Sequence, residues 1–267
     1  MAMTFVQWVD RQSWVHVIIR TLRLRALMSR LLQIWPVSRT FSSGTKVRVA
    51  DLESFYLSDE IFKRETYRRT LALAGEVHTV MDIGCNVGYF CAYLHHFYRR
   101  SDFSGIGMDA NPIVLKKAAA NLELNGLTGI KLVQGLAGGD EEKGTQDFYL
   151  YASHLGSSQF LQAETGRALK GDWTRISVPV LKPSQLWQKA YGDISIDLLK
   201  IDIEGSEGKL LVTDPALFSK ARCIVLEWHK WLVQEDELFR PLLALGFSRR
   251  EVMETGPTTE LWFFSRE

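Results

Sequence analysis

Two hydrophobic rhythms run along this chain, and the switches between them mark its elements. Residues 79–83 (TVMDI), 103–108 (FSGIGM), 130–134 (IKLVQ) and 196–203 (IDLLKIDI) are short apolar runs, as expected of strands buried on both faces of a parallel sheet. Longer stretches with helical spacing lie between them. The first, over 58–74, is opened by Ser58 and closed by Gly75, and 89–100 forms the second. A third starts at Asn111 as N-cap with Pro112 behind it and stops at Gly126. Further helices are expected at 184–191, at 206–212 and near 236–245. Strands are expected at 221–228, 247–252 and 260–265. Residues 138–180 break the alternation. Turn residues (GGDEEKG) and two β-like pieces (DFYLY, TRISVPV) predict an antiparallel excursion over the sheet edge. The fold expected is α/β: a doubly wound, mostly parallel sheet with antiparallel edge strands, whose ligand site lies at the carboxyl ends of the strands.

Residues 1–50 read differently, as a basic amphipathic helical arm ahead of a domain at 51–267. Between residues 5 and 35 apolar positions alternate with arginines, and Arg20, Arg23 and Arg30 share one helical face. Pro36 ends the pattern. Its apolar stretches fall short of the roughly 18 to 20 residues that span a bilayer, and no cleavage site follows them. Three readings stay open: a helix packed on its own domain or a partner, a peripheral membrane contact through residues 5–35 with anionic lipid, and an organellar transit peptide. The expected location is cytoplasmic, with membrane association, and mitochondrial in the third case. The chain's net charge of +1 conceals a split. Residues 1–50 carry eight basic groups against one acidic, while the remainder holds 24 basic and 30 acidic. An acidic body without a basic stripe excludes a nucleic-acid-binding core. Three cysteines, Cys85, Cys91 and Cys223, cannot all pair within the chain, and read as free buried thiols in a reducing compartment.

Four stretches carry chemistry. Asp82-Ile-Gly84-Cys-Asn86-Val-Gly88 follows a buried strand and opens a helix. Gly84 permits the tight turn, Gly88 lets the helix pack close to the sheet, and the helix-start N–H groups can meet an anion. Asp82 can accept from a ligand ammonium. A dinucleotide fingerprint would need glycine where Asn86 and Cys91 stand, so an amino-acid-bearing ligand is favoured. Asp109 ends the next strand, 27 residues after Asp82, where an acidic side chain can accept from both hydroxyls of a ribose. Lys200, Asp202 and Glu204 alternate at period two in an otherwise apolar strand, with Gly205 and Glu207 following. Three charges on one face must pair or border a cleft: a structural ion pair or a functional site. Glu227-Trp228-His229 ends the next strand, and His229 is a candidate general base.

Asp82–Phe90 (DIGCNVGYF), Leu198–Glu207 (LLKIDIEGSE) and Ile224–His229 (IVLEWH) resemble the FkbM family of S-adenosylmethionine-dependent methyltransferases, and the likeness spans about 75–265. Ser157 and Ser158 in HLGSSQF look like a further family element. At Leu181-Lys182 the chain departs from the family's usual acidic residue after leucine. The resemblance implies the class I, Rossmann-like methyltransferase fold, with S-adenosyl-L-methionine as cofactor. Asp82, Gly84, Asn86 and Gly88 would then hold its methionine end, Asp109 its ribose, and Leu136 and Ala137 would lie near its adenine. Asp202 would sit near the methyl group, with Glu204, Glu207 and His229 about the acceptor and Lys200 among the catalytic candidates. No Asn/Asp-Pro-Pro-Tyr signature ends the fourth strand, so the expected reaction is O-methylation of a sugar, glycolipid or small natural product. Either His229 or a carboxylate, Asp202 or Glu204, would take the proton. A divalent metal on Asp202 and Glu227 is the alternative route. A catalytically inactive S-adenosylmethionine-binding scaffold and a nicotinamide-dependent oxidoreductase are the competing classes.

Overall fold

The computed structural model describes residues 25–151 and 173–266. Most of the arm expected to contact membrane, together with Ser157 and Ser158, lies outside the described residues. The chain opens with helix α1 (Arg25–Ile34) and a hairpin, β1 (Val37–Thr40) with β2 (Lys46–Val49). Helices α2 (Leu52–Phe62) and α3 (Arg68–Ala74) come next. The central alternation is β3 (Thr79–Ile83), α4 (Tyr89–Tyr98), β4 (Ser104–Asp109), α5 (Pro112–Leu124) and β5 (Ile130–Gln134). After the ladder of β6 (Thr145–Tyr151) and β7 (Trp173–Pro179) come α6 (Pro183–Tyr191), β8 (Ile196–Ile201), α7 (Glu207–Thr213), α8 (Pro215–Lys220) and β9 (Ala221–His229). The chain ends with α9 (Glu235–Ala244), β10 (Arg249–Thr255) and β11 (Thr259–Ser265).

Seven strands form the main sheet in the order β10-β11-β9-β8-β3-β4-β5. The five from β9 to β5 are mutually parallel, and β11 runs antiparallel to both its neighbours. The order reverses between β3 and β8, so the loops after these two strands part and leave a crevice at their carboxyl ends. Period two sorts the strand side chains into two cores. Val80, Leu198 and Val225 face the layer of α2 to α5, while Met81, Leu199 and Ile224 face that of α6 to α9. Asp82, Lys200, Glu227 and His229 fall by the same alternation on the first of these faces.

Several expected boundaries move. The helix placed at 58–74 is two helices, and its opening residue is Asp51, whose carboxylate accepts from Ser54 N at 2.7 Å. Ser58 instead lies buried in mid-helix, its hydroxyl bonded to Phe55 O. Within the arm expected over 1–50, the described residues are helical only at α1. Residues 37–49 form a hairpin fastened to the body, because Asn121 and Asn125 of α5 and its cap act as a surrogate strand. Asn125 Oδ1 accepts from Lys46 N at 2.9 Å, its Nδ2 donates to Lys46 O at 2.7 Å, and Asn121 Oδ1 accepts from Arg48 N at 2.7 Å. Val47 and Val49 are wholly buried by this docking. The excursion after residue 138 is a separate antiparallel ladder, joined to the body through a bridge between Leu136 and Val180. All three cysteines are free and buried. Among the described residues no helix is long and apolar enough to cross a membrane.

Candidate active site

The loop after β3 is held from two sides. Gly84 N and Cys85 N both donate to Met108 O, at 2.8 and 3.0 Å, which pins the loop to β4. Gly84 has φ +78°, and a Cβ there would lie 1.7 Å from Asp202 O. Glycine is therefore required twice over, by backbone handedness and by the close passage of the chain leaving β8. Asn86, at φ +48°, turns its amide onto the next strand end: Asn86 N donates to Asp109 Oδ2 at 2.8 Å. Asn111 N donates to the other oxygen, Oδ1, at 2.8 Å. Each oxygen of Asp109 thus keeps an acceptor site for a ligand. Burial raises its carboxyl to about 6 against the two backbone donors and Lys200, which pull it down. Gly88, at φ +76°, sets α4 against α5 rather than against the sheet, since its missing Cβ would stand 3.1 Å from Ala118 Cβ.

These features border a cleft of about 970 Å³, open solvent at its mouth included. Gly84, Asn86, Asp109, Leu136 and Ala137 line it, and so do Lys200, Asp202 and Glu204. Sequence reasoning had placed all eight at a site. Leu57, Ile61, Tyr67 and Phe148, which the sequence did not mark, are also among its lining residues. None of the four lies at a strand end or in a glycine-rich loop, so no local signal marks them. Leu57 and Ile61 arrive on α2, Tyr67 caps α3, and the β6–β7 ladder delivers Phe148 to a small apolar cluster with Ala110, Leu136 and Val178.

Gly88, Asp82, Glu207 and His229, also expected at the site, do not line the cleft. Gly88 lies behind it, and Asp82 is fully buried. The Asp82 carboxylate faces Lys200 Nζ at 3.3 Å and accepts from Cys91 Sγ, so it meets no ligand ammonium. Lys200 also donates to Gly84 O at 2.7 Å and approaches Asp202 Oδ2 at 3.4 Å. Burial opposes its charge, yet Asp82 and then Asp202 hold it well above the usual lysine range. The structural ion pair left open by the sequence is thus present, and Lys200 ties β3, β8 and the Gly84 loop together instead of offering a proton-transfer group.

Beyond β8 the strand ends at Ile201, sooner than expected, and Glu204 takes φ +52°. Asp202 stands one step past the registered pair Ile201–Leu226, beside Glu227. His229 is 2% exposed. Its Nδ1 lies 2.9 Å from Glu207 Oε1 and its Nε2 3.5 Å from Glu204 Oε2. Burial alone would lower the imidazole, but the Glu207 hydrogen bond and charge, then Glu204 and Asp202, raise it to about 10. His229 therefore keeps its proton near neutral pH, which corrects its expected part as a general base. The carboxylates move the other way from the usual range. Glu204 is raised to about 8 and Glu227 to about 7, in each case by burial first, reinforced by neighbouring carboxylates and opposed by His229.

The residues present fit S-adenosylmethionine. Among the described residues, buried Asn86 Oδ1 has no hydrogen-bond partner, as an acceptor awaiting an ammonium donor would be. Asp109 has open acceptor sites for a ribose diol, and Leu136, Ala137 and Phe148 give an apolar slot of the kind an adenine ring fills.

A parallel sheet ending in antiparallel β11, with an acidic hook on β4 and a cleft at the strand reversal, defines a Rossmann-like methyltransferase fold. The chain matches the methyltransferase FkbM domain over residues 82–249, more than half its length, and belongs to that family. It is an S-adenosylmethionine-dependent methyltransferase. Methyltransferase sdnD of Sordaria araneosa is 23% identical over 203 residues, covering 67% of this chain and 76% of that one. Similar solved structures include the methyltransferase domain of METTL16 (TM-score 0.48, 11% identity, 86% of each chain). Another is precorrin-6y C5,15-methyltransferase of Geobacter metallireducens GS-15 (TM-score 0.44, 12% identity, 76% of this chain and 87% of that one).

Proposed function

We propose that the enzyme methylates a hydroxyl oxygen on a sugar, glycolipid or small natural product. The observation that carries this reading is that one cleft is lined both by the donor-binding set (Asn86, Asp109, Leu136, Ala137) and by two carboxylates, Asp202 and Glu204. S-adenosylmethionine, when bound, supplies a methyl group on a positively charged sulfur. Everything else is asked of the protein. Asn86 and Asp109 fix the donor's two polar ends, and alignment of acceptor oxygen with methyl carbon is worth several orders of magnitude in rate. Leu57, Ile61 and Tyr67 line the same cleft with largely apolar surface, so water is a poor competitor there. When the acceptor oxygen takes the methyl group from the bound cofactor, the hydroxyl proton would pass to a carboxylate of this chain. Glu204 suits this part in its ionised form, which fills as pH rises through about 8 and which burial makes a stronger base than an ordinary carboxylate. The strand end Asp202-Ile203-Glu204-Gly205, where amino-group methyltransferases carry an Asn/Asp-Pro-Pro-Tyr signature, supports an oxygen acceptor.

The test is a transfer screen with methyl-labelled cofactor across sugars, glycolipids and phenols, with and without EDTA, beside an amine set. Label in an O-methyl product that is lost in Glu204→Gln, with cofactor-product binding retained, is the expected result. Label only in the amine set overturns the oxygen reading. Binding without transfer to any acceptor favours the inactive scaffold.

A further inference from the structure

We propose that Asp202, Glu204 and His229 bind one divalent first-row transition-metal ion at the carboxylate end of the cleft; the inference rests on that end being the acceptor site. One ligand atom from each of the three lies within 4.8 Å of the others. Donors sharing an ion about 2.1 Å away sit roughly 3 to 4 Å apart, so small side-chain adjustments close the site. The residues come from two strand ends, Asp202 and Glu204 after β8 and His229 at the end of β9, which parallel pairing holds side by side.

The histidine supplies the second, independent observation. Its side chain is only 3% exposed, and Nδ1 is committed to Glu207 at 2.9 Å. Glu207 is itself fully buried and locked by Ile203 N and Gly205 N, which donate to the same Oε1. Nε2 faces Glu204 Oε2 at 3.5 Å. A buried carboxylate that fixes one imidazole nitrogen while the other faces further oxygen donors is the outer-sphere arrangement that orients metal-binding histidines. Further carboxylates surround the imidazole: Lys200 is shared between Asp82 at 3.3 Å and Asp202 at 3.4 Å, and Glu207, Glu204 and Asp202 all act on the ring.

One imidazole with two carboxylates selects Mn²⁺, Fe²⁺, Co²⁺ or Zn²⁺ over Mg²⁺ or Ca²⁺, which prefer all-oxygen sets. Three protein ligands leave coordination positions for water and for the acceptor hydroxyl, as in catalytic rather than structural sites. The site differs from the Asp202–Glu227 pair suggested by sequence, because Glu204 leaves the strand rhythm and swings to His229.

The experiment is a Mn²⁺ titration of the chelator-stripped full chain, followed by loss of the free-ion EPR signal, with S-adenosylhomocysteine affinity measured on the same samples. One ion per chain is expected, lost in Glu204→Gln and in His229→Gln. Ten- to hundredfold weaker binding is expected in Glu207→Gln. Failure of wild type to bind, or binding that survives both ligand substitutions, overturns the site. If the buried variants do not fold, Asp202→Asn at the cleft wall decides, since loss of the ion there supports the site and full retention overturns it. S-adenosylhomocysteine binding without Mn²⁺ binding defeats the metal site alone, whereas loss of both in wild type defeats the methyltransferase reading of the cleft.

Discussion

Gly84 and Asp109 show how much a single position controls here. At Gly84 an added methyl would overlap the Asp202 carbonyl at 1.7 Å, and the residue sits at φ +78°. Gly84→Ala should therefore cost more than about 2 kcal/mol, the left-handed backbone alone accounting for 1 to 2. Urea unfolding measures it, and an unchanged midpoint would refute the close approach. At Asp109 the ordinary carboxyl value of 3.8 is raised to about 6. The folded protein then binds more protons than the unfolded chain between these values, so this group's stability contribution is complete below 3.8 and is lost as pH rises through 6. Ligand affinity runs the other way, because ribose hydroxyls donate best to the ionised form. S-adenosylhomocysteine binding should weaken as pH falls below 6, by up to about tenfold per unit. Asp109→Asn should abolish that dependence in a calorimetric titration at several pH values. Both residues were legible in the sequence, since each ends a strand in a recognisable loop. Tyr67 was not, as nothing beside it in the chain distinguishes it from a core aromatic.

Elements are attached by devices that local periodicity does not reveal. Among the described residues hairpin β1–β2 has no further strand beside it; it bonds to Asn121 and Asn125 instead. Asn125→Ala removes a paired donor and acceptor and should cost about 1 to 3 kcal/mol of local stability. Hydrogen exchange should then show faster Lys46 and Arg48 amides while β3 and β8 keep their protection. Equal loosening everywhere would mean the hairpin is not a separable unit. The sequence pattern pointed instead to a helical arm ending at residue 50, because a four-residue strand is too short for a period-two signature to stand out.

At the scale of the whole molecule, the cleft joins loops from β3, β4 and β5 to the end of β8, so a ligand there couples elements contributing to both cores. S-adenosylhomocysteine at 100 times its dissociation constant should add about 2.7 kcal/mol and raise the melting temperature by roughly 5 to 10 °C. NAD should leave it unchanged; stabilisation by NAD instead would support the oxidoreductase reading. Fold class was readable for a related reason. Buried parallel strands, capped helices and strand-end charges each write their signature within a dozen residues.

Segment order, the glycine turn after β3 and the acidic groups at successive strand ends follow from neighbours along the chain, and those the sequence determined unaided. Pairing followed from the fold alone. Lys200 belongs to Asp82 and His229 to Glu207 because strand register and a left-handed turn at Glu204 bring together groups up to 118 residues apart in sequence. Low-dielectric burial then decides which of those charges survive, and that sorted the acidic groups lining the cleft from the ones that brace it.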